Sequence, residues 1–399
     1  MESVQGGVTA PIGYAASGVF CGIKKRGKDL ALIASNRPAA AAGMLTRNRL
    51  PAACVTWVGA VLRRGTARAI VANSGNANAC TGRRGGGDCR RTAQWAAQAL
   101  AVAAQEVLVA STGVIGQPLP MANVREGIRL ARRQLSRTGS HRAAEAIMTT
   151  DTRPKEFALR WRSGGRVLTL GGIAKGSGMI APDMATMLCF LTTDAPVGAV
   201  GLRRALRQAV PETFNAITVD GECSTNDMVL LLANGAAGGA RILPGSRPYA
   251  DFLKALREVC RTLAHEIVRD GEGVTRIFRV NVAGAASPRE ALRIARRVAN
   301  SPLVKTMVAG RDPNWGRIAA AVGDSGERVE PRRIALRLGR VLVFRHGEPT
   351  RVPRARLLAE VDQPEVHISI DLGRGPGQAQ ILSGDLTENY AKINAKYTT

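Results

Sequence analysis

Thr186 stands where a glycine-rich approach, Lys175-Gly176-Ser177-Gly178, gives way to a short apolar run from Met187 to Thr192. Glycine adopts backbone conformations that other residues avoid, so the approach reads as a flexible turn with a cation in it. The apolar run is short and partly β-formed, as expected of a buried strand. Thr186 is therefore predicted where a loop enters a strand. Two readings of it are open. In the plain one, β-branched threonine suits a strand edge and the glycines and prolines around it punctuate loops. In the chemical one, the hydroxyl is a nucleophile. Threonine is a poor nucleophile unless a base sits beside it, and its own free α-amino group can be that base. This requires Thr186 to become an N-terminus, with its Oγ attacking the Ala185 carbonyl and the resulting ester hydrolysing.

Other segments offer groups that such chemistry would use. Ser111-Thr112-Gly113-Val114-Ile115-Gly116 follows a strand-like run from Glu106 to Ala110. A Thr-Gly pair there could aim a hydroxyl and a backbone N–H at one oxygen, as an oxyanion hole requires. The polar loop Asn73 to Gly82 is either turn chemistry or the lining of a polar site. Thr149-Thr150-Asp151-Thr152-Arg153-Pro154-Lys155 is marked as a loop by its proline and hydroxyls. The loop Asp220 to Asp227 is rich in acids and hydroxyls but lacks the regular alternate oxygen ligands of a calcium site. Asp270-Gly271-Glu272-Gly273 flanks a carboxylate with glycines at a helix end, where a simple C-cap is the plain reading.

With 399 residues, one large or two linked domains with an ample core are expected. No apolar run approaches the ~20 residues of a membrane span, and the N-terminus lacks a charged-then-apolar signal pattern. A soluble cytoplasmic protein is the expectation. The seven cysteines are scattered with no CxxC pair, and read as reduced, mostly buried thiols. The four histidines lie far apart without ligand-type spacing, so neither a metal site nor a histidine-based triad is expected. The formal charge is +25. Basicity of this order raises nucleic-acid binding as a hypothesis. The cations are dispersed through apparent helices, however, and aromatic residues make up only 4%. A basic solvated surface is favoured over a nucleic-acid site, because single-strand binders usually carry stacking platforms.

The elements that must position these groups alternate between the two types. A hairpin is predicted from Gly18 to Ala34 about the turn Lys24 to Lys28, and a strand from Ala67 to Ala72. Helices are predicted at Thr92 to Gln105, Val124 to Leu135, Ala143 to Met148, Val200 to Val210, Ala250 to Arg269 and Pro288 to Ala299. Strands are predicted at Ala216 to Val219, Met228 to Leu232, Val274 to Val282, Ile334 to Phe344 and His367 to Asp371. The absence of a GxGxxG turn after a first strand argues against a dinucleotide-binding fold. The last residues, Asn389 to Thr399, mix aromatic and apolar types and are expected to dock.

The segment KGSGMIAPDMATML, with TTDTRPKE, ANSGNANACTG and STGVIG before it and VDGECSTNDM, DGEG, GRDPNWGR and INAKYTT after it, resembles the self-cleaving ornithine acetyltransferase family of arginine biosynthesis. The blocks cover nearly the whole chain in order. The resemblance favours the chemical reading of Thr186 and implies an α+β fold: a layered α/β sandwich core over residues 1–283 with a smaller C-terminal α+β lobe over 284–399. It implies a cut between Ala185 and Thr186, giving an α chain of 1–185 and a β chain of 186–399, and an α2β2 assembly. Thr112 and Gly113 match the family's oxyanion-hole pair. Thr149, Lys175, Thr186, Glu272, Asn394 and Thr399 match its substrate-binding positions. Asp183 and Lys396 stand at positions expected to vary, and the basicity is unusual for the family.

The activity so implied is acetyl transfer from N-acetylornithine to glutamate through an acetyl-Thr186 intermediate, with no resident cofactor and with acetyl-CoA as a conceivable second donor. A covalent ester splits one hard step into two, and an oxyanion hole stabilises the tetrahedral species in each. Lys175 would meet a substrate carboxylate and Glu272 a distal ammonium. The alternative is a self-cleaving aminopeptidase or amidohydrolase of related fold, and a nucleic-acid-binding role stands third.

Overall fold

The computed structural model describes residues 1–181 and 187–396. The chain opens with β1 (Glu2–Val4), β2 (Tyr14–Val19) and β3 (Leu30–Leu45), and Val19 pairs with Leu30 across the predicted hairpin. β3 runs well past Ala34. Its register with the following strand shifts between Ala34 and Ala39, and this irregularity accommodates Pro38, which has no N–H to give to a ladder. Next come α1 (Ala53–Arg64), β4 (Thr66–Asn76), α2 (Gly82–Leu100) and β5 (Val107–Val114). α2 starts ten residues before the predicted Thr92. Gly85, Gly86 and Gly87 are poor helix formers, but a Cβ at Gly85 would lie 2.1 Å from Thr81 Oγ1, so packing rather than propensity sets the sequence there. The predicted end at Gln105 is also corrected, because Ala101 turns into the left-handed region at φ 54.

Beyond α3 (Met121–Arg133) and α4 (Ser140–Ile147), the hairpin β6 (Lys155–Ser163) and β7 (Arg166–Lys175) precedes β8 (Leu188–Thr193), α5 (Ala199–Ala209), β9 (Ile217–Thr218), β10 (Met228–Ala233) and α6 (Arg247–Arg269). Lys175 is therefore not in a flexible turn. It ends β7, opposite Leu188, and is 2% exposed. The glycines just before it serve close approach: a Cβ on Gly172 would lie 2.5 Å from Leu191, and one on Gly171 would lie 1.8 Å from the Gly7 carbonyl oxygen.

Among the described residues, nine strands form the first sheet, ordered β1-β6-β7-β8-β10-β3-β4-β5, with β2 paired to β3. β8 and β10 run parallel to each other between β7 and β3, to both of which they are antiparallel. Strands that follow residue 186 are thus inserted between strands that precede it. Side chains alternate between faces with period two. Leu188 and Phe190 of β8 and Met228, Leu230 and Leu232 of β10 join the cluster under α1 to α4. Cys189, Leu191, Val229 and Leu231 join the one under α5 and α6. Burial on both faces explains why these strands read as unbroken apolar runs.

The second part of the chain carries β11 (Ile277–Ala285), α7 (Pro288–Ala299), α8 (Pro302–Ala309), α9 (Trp315–Gly323), β12 (Ala335–Leu338), β13 (Val341–Arg345), β14 (Glu348–Pro349), α10 (Arg354–Val361), β15 (Glu365–Asp371), β16 (Gly377–Gly384) and α11 (Glu388–Lys396). Its seven-stranded sheet is ordered β14-β13-β12-β15-β11-β16-β9, and α7, α8 and α9 cover one face through Ile294, Val298, Met307 and Ile318. The division drawn after residue 283 runs through β11, and β9 joins this sheet from far upstream. The molecule is an α+β layered sandwich with a second α+β layer pair beside it. Among the described residues, no helix is long and apolar enough to cross a membrane.

Candidate active site

One pocket of about 70 Å³ is lined by Thr112 and Gly113 at the end of β5, Thr149 after α4, Lys175 at the end of β7, Glu272 after α6 and Asn394 of α11. Thr186, Ala185 and Thr399 lie outside the described residues. β4 and β5 run side by side until their ends, where Gly75 faces Gly113. Gly113 has φ +129, and a Cβ on it would lie 2.4 Å from the Gly75 carbonyl carbon. Only glycine fits that approach. Thr112 is buried, and its Oγ1 accepts a 3.3 Å hydrogen bond from Lys175 Nζ. Burial pushes the Lys175 ammonium below its usual range, and the neighbouring Asp151, Asp227 and Glu272 charges counteract that. Glu272 is 7% exposed and accepts a 2.8 Å bond from Asn394 Nδ2. A Cβ on Gly178 would come within 2.4 Å of the Glu272 carboxyl group, so this glycine gives the carboxylate its place.

Beneath the pocket lies an ion network that the sequence reading did not find. Lys155 Nζ donates to Asp151 Oδ1 at 2.7 Å and to Asp270 Oδ2 at 2.5 Å, with all three side chains buried. Asp151 also accepts from the N–H groups of Thr149 and Gly176 at 3.0 and 2.8 Å, so one carboxylate orients two pocket segments. Burial alone would raise its pKa, but the Lys155 and Lys175 charges hold Asp151 down to about 2. Asp270 accepts from Thr152, and its carbonyl accepts from Ser177 Oγ at 2.6 Å. It caps α6, as the plain reading of this stretch expected, and the same turn delivers Glu272 to the pocket.

The opposite wall comes from the loop between β9 and β10. Ser224, Thr225 and Asn226 line the pocket with Ala77, Ile115, Thr150 and Met179. Asn226 Nδ2 donates to the Ala77 and Ser111 carbonyls at 2.7 and 2.8 Å, joining this loop to β5 and to the turn after β4. The Asn73 to Gly82 stretch serves both of its open readings. Asn73 and Asn76 satisfy backbone groups of their own turn and Asn78 Nδ2 donates to the Gly85 carbonyl in α2, while Ala77 lines the pocket. Asp220 accepts from the N–H groups of Met179 and Ile180 at 2.5 and 2.8 Å, and Asp227 Oδ1 accepts from Met187 N–H at 3.0 Å. Burial raises both carboxyl groups, Asp227 well above the usual range. Their positions were within the acid-rich block noted in the sequence, whose density of turn-forming side chains was the available signal. No three His, Cys, Asp or Glu side chains converge as a metal ion would need among the described residues.

A family model for the ArgJ family matches residues 15–399. The chain belongs to the ArgJ family. It is 51% identical over 402 residues to the arginine biosynthesis bifunctional protein ArgJ of Symbiobacterium thermophilum, covering 100% of both chains. It is 48% identical over 404 residues to that of Gloeobacter violaceus, covering 100% of this chain and 99% of the other. The crystal structure of the arginine biosynthesis bifunctional protein ArgJ from Bacillus halodurans is 42% identical, with a TM-score of 0.50 over 52% of this chain and 98% of that chain. The family membership accords with the ordered sequence blocks, most of which end in the pocket just described.

Proposed function

We propose that the protein transfers the acetyl group of N-acetylornithine to glutamate, releasing ornithine and N-acetylglutamate in arginine biosynthesis. The observation that carries this is the convergence of Thr112, Gly113, Thr149, Lys175, Glu272 and Asn394 on one pocket. Thr186 is the nucleophile and, with Ala185, the cleavage pair; its freed amine is the base. The acetyl ester formed on Oγ then passes to the glutamate amine, and the Thr112 hydroxyl and Gly113 N–H stabilise the oxyanion in each step. A pocket with one ammonium, Lys175, and one carboxylate, Glu272, suits amino-acid substrates that carry both charges. Lys175 meets the substrate carboxylate and Glu272 the distal ammonium, with Thr149, Asn394 and Thr399 as further contacts.

The same proposal has the chain mature into 1–185 and 186–399, assemble as α2β2, and work in the cytoplasm without a resident cofactor. The Bacillus halodurans chain is aligned over 98% of its length yet spans only 52% of this one, which is consistent with a molecule built from two shorter chains. The catalytic core is proposed to be built on the nine-stranded sheet and the smaller lobe on the seven-stranded one, so the division drawn between 283 and 284 moves to the start of β11. Incubation with N-acetylornithine, with and without glutamate, tests the reaction. Ornithine release that depends on glutamate and matches N-acetylglutamate formed is the expected result; release of free acetate without glutamate would assign a hydrolase instead. A parallel assay with acetyl-CoA and glutamate decides whether that donor is used.

A further inference from the structure

The loop between β9 and β10 holds the chain on both sides of residues 182–186. On the upstream side, Asp220 Oδ2 accepts from Met179 N–H at 2.5 Å and from the Tyr390 hydroxyl at 3.4 Å. Its Oδ1 accepts from Ile180 N–H at 2.8 Å and from Glu222 N–H at 3.1 Å. The Ile180 carbonyl returns the contact, accepting from Val219 N–H at 2.8 Å and Thr218 Oγ1 at 3.0 Å. Met179 needs such fixing, since it holds a left-handed φ of 57 without being glycine. On the downstream side, Asp227 Oδ1 accepts from Met187 N–H at 3.0 Å, and the Met187 carbonyl accepts from Met228 N–H at 3.1 Å. Asp227 Oδ2 faces Cys223 Sγ at 3.9 Å, and the Asp227 carbonyl accepts from Thr46 N–H at 2.9 Å.

We infer that Asp220 and Asp227 are positioning residues for the reaction of Thr186, forming a splint that fixes the peptide on either side of the Ala185-Thr186 bond. This rests on the proposed role of Thr186. The peptide whose N–H Asp227 holds is the one that joins Thr186 to Met187, so it sets the nucleophile's backbone both before the cut and in every later turnover. Asp220 holds residues that remain on the other chain afterwards, so its hold bears on the cut itself. Neither side chain lines the pocket.

The two carboxylates should respond differently to amide substitution. Asp220 spends both oxygens on N–H donors, so an Asn side chain must turn its NH₂ against one of them. Asp227 gives Oδ1 to the Met187 N–H and presents Oδ2 to the Cys223 thiol, and its carboxyl also accepts from the backbone and hydroxyl of Ser224. An amide that keeps its oxygen on the Met187 N–H retains the hold on that peptide, because the Ser224 hydroxyl and the thiol can each turn to accept from its NH₂.

The test uses the full chain with Asp220→Ala, Asp220→Asn, Asp227→Ala and Asp227→Asn. Cutting is followed by mass spectrometry and turnover is normalised to the cut fraction, with a thermal melt of each variant. Expected are at least tenfold slower cutting in Asp220→Ala, Asp220→Asn and Asp227→Ala, and cutting within a few-fold of wild type in Asp227→Asn. The cut fraction of Asp227→Ala should lose kcat at least tenfold with KM little changed. A folded Asp227→Ala that cuts and turns over like wild type would overturn the inference. Should the alanine variant not fold, Asp227→Asn decides: native-like melting with cutting abolished would overturn it, and native-like melting with cutting retained supports it. Wild-type protein that is cut but moves no acetyl group overturns the acyl-transfer reading and leaves the splint standing. Wild-type protein that is never cut overturns both.

Discussion

At Thr186 the proposal asks one hydroxyl to act twice, once on the Ala185 carbonyl and then on an acetyl group in each turnover. Thr186→Ala should therefore remain a single chain of 42.1 kDa and be inactive, as intact-mass measurement and an acetyl-transfer assay would reveal. Thr186→Ser keeps Oγ but loses the methyl group that restricts χ1, so partial cutting and slower turnover are expected. A fully active yet wholly uncut wild-type preparation would sink the mechanism, because an amide-blocked threonine has no amine to act as base. Beneath the pocket, Lys155 is the cation between Asp151 and Asp270. Lys155→Met would strand two buried carboxylates, and removing one partner of such a network costs about 3–5 kcal/mol, measurable by urea denaturation near neutral pH. Asp151, held down to about 2, gives the wild type an acid-sensitive component. That stability is present above the ordinary carboxylate value of about 3.9 and is lost as pH falls through about 2.

At the scale of elements, α6 is tied to β15 by His265, whose Nε2 lies 3.5 Å from Glu365 Oε2. The Glu266 and Glu365 carboxylates beside the ring raise His265 from its usual 6.5 to about 9. A raised histidine stabilises the fold fully below its unfolded value and ceases to do so as pH rises through the folded one. His265→Gln should thus lower the melting temperature at pH 6 by an amount equivalent to roughly 0.5–1 kcal/mol, in view of solvent screening, and have little effect at pH 10; equal losses at both would contradict the assignment. Elements with a single dominant signal were legible in the sequence. β8 and β10 announced themselves as apolar runs because both their faces are buried, and α6 because Phe252, Leu256, Val259, Leu263 and Ile267 share one stripe. The β6–β7 hairpin was not, since Gly171 and Gly172 serve close packing inside β7 and glycine is a weak strand signal. The pocket's contributors were visible as family blocks, but its supports were not: Lys155 meets Asp270 across 115 positions, and such a partnership leaves no local pattern.

Over the whole molecule, the order β7-β8-β10-β3 gives a cut at Ala185-Thr186 a consequence for refolding. Uncut Thr186→Ala should refold from urea at a rate independent of protein concentration. A wild type cut there would have to bring two chains together, so its recovery should be slower and depend on concentration; identical recoveries would argue against a two-chain mature form. Residues 1–185 alone would expose the edges of β7 and β3 where β8 and β10 belong, and unpaired edges invite aggregation. The same interleaving makes the molecule its own assay. The residues that flank the proposed cut, Ile180 and Met187, are held by Asp220 and Asp227, in a loop that leads into β10 between β8 and β3, so under the proposal a cut would record that folding has been completed. The ratio of two bands to one on a denaturing gel then becomes a tally of chains that reached the native sheet. A library of core substitutions could be ranked by that ratio without substrate, label or activity measurement.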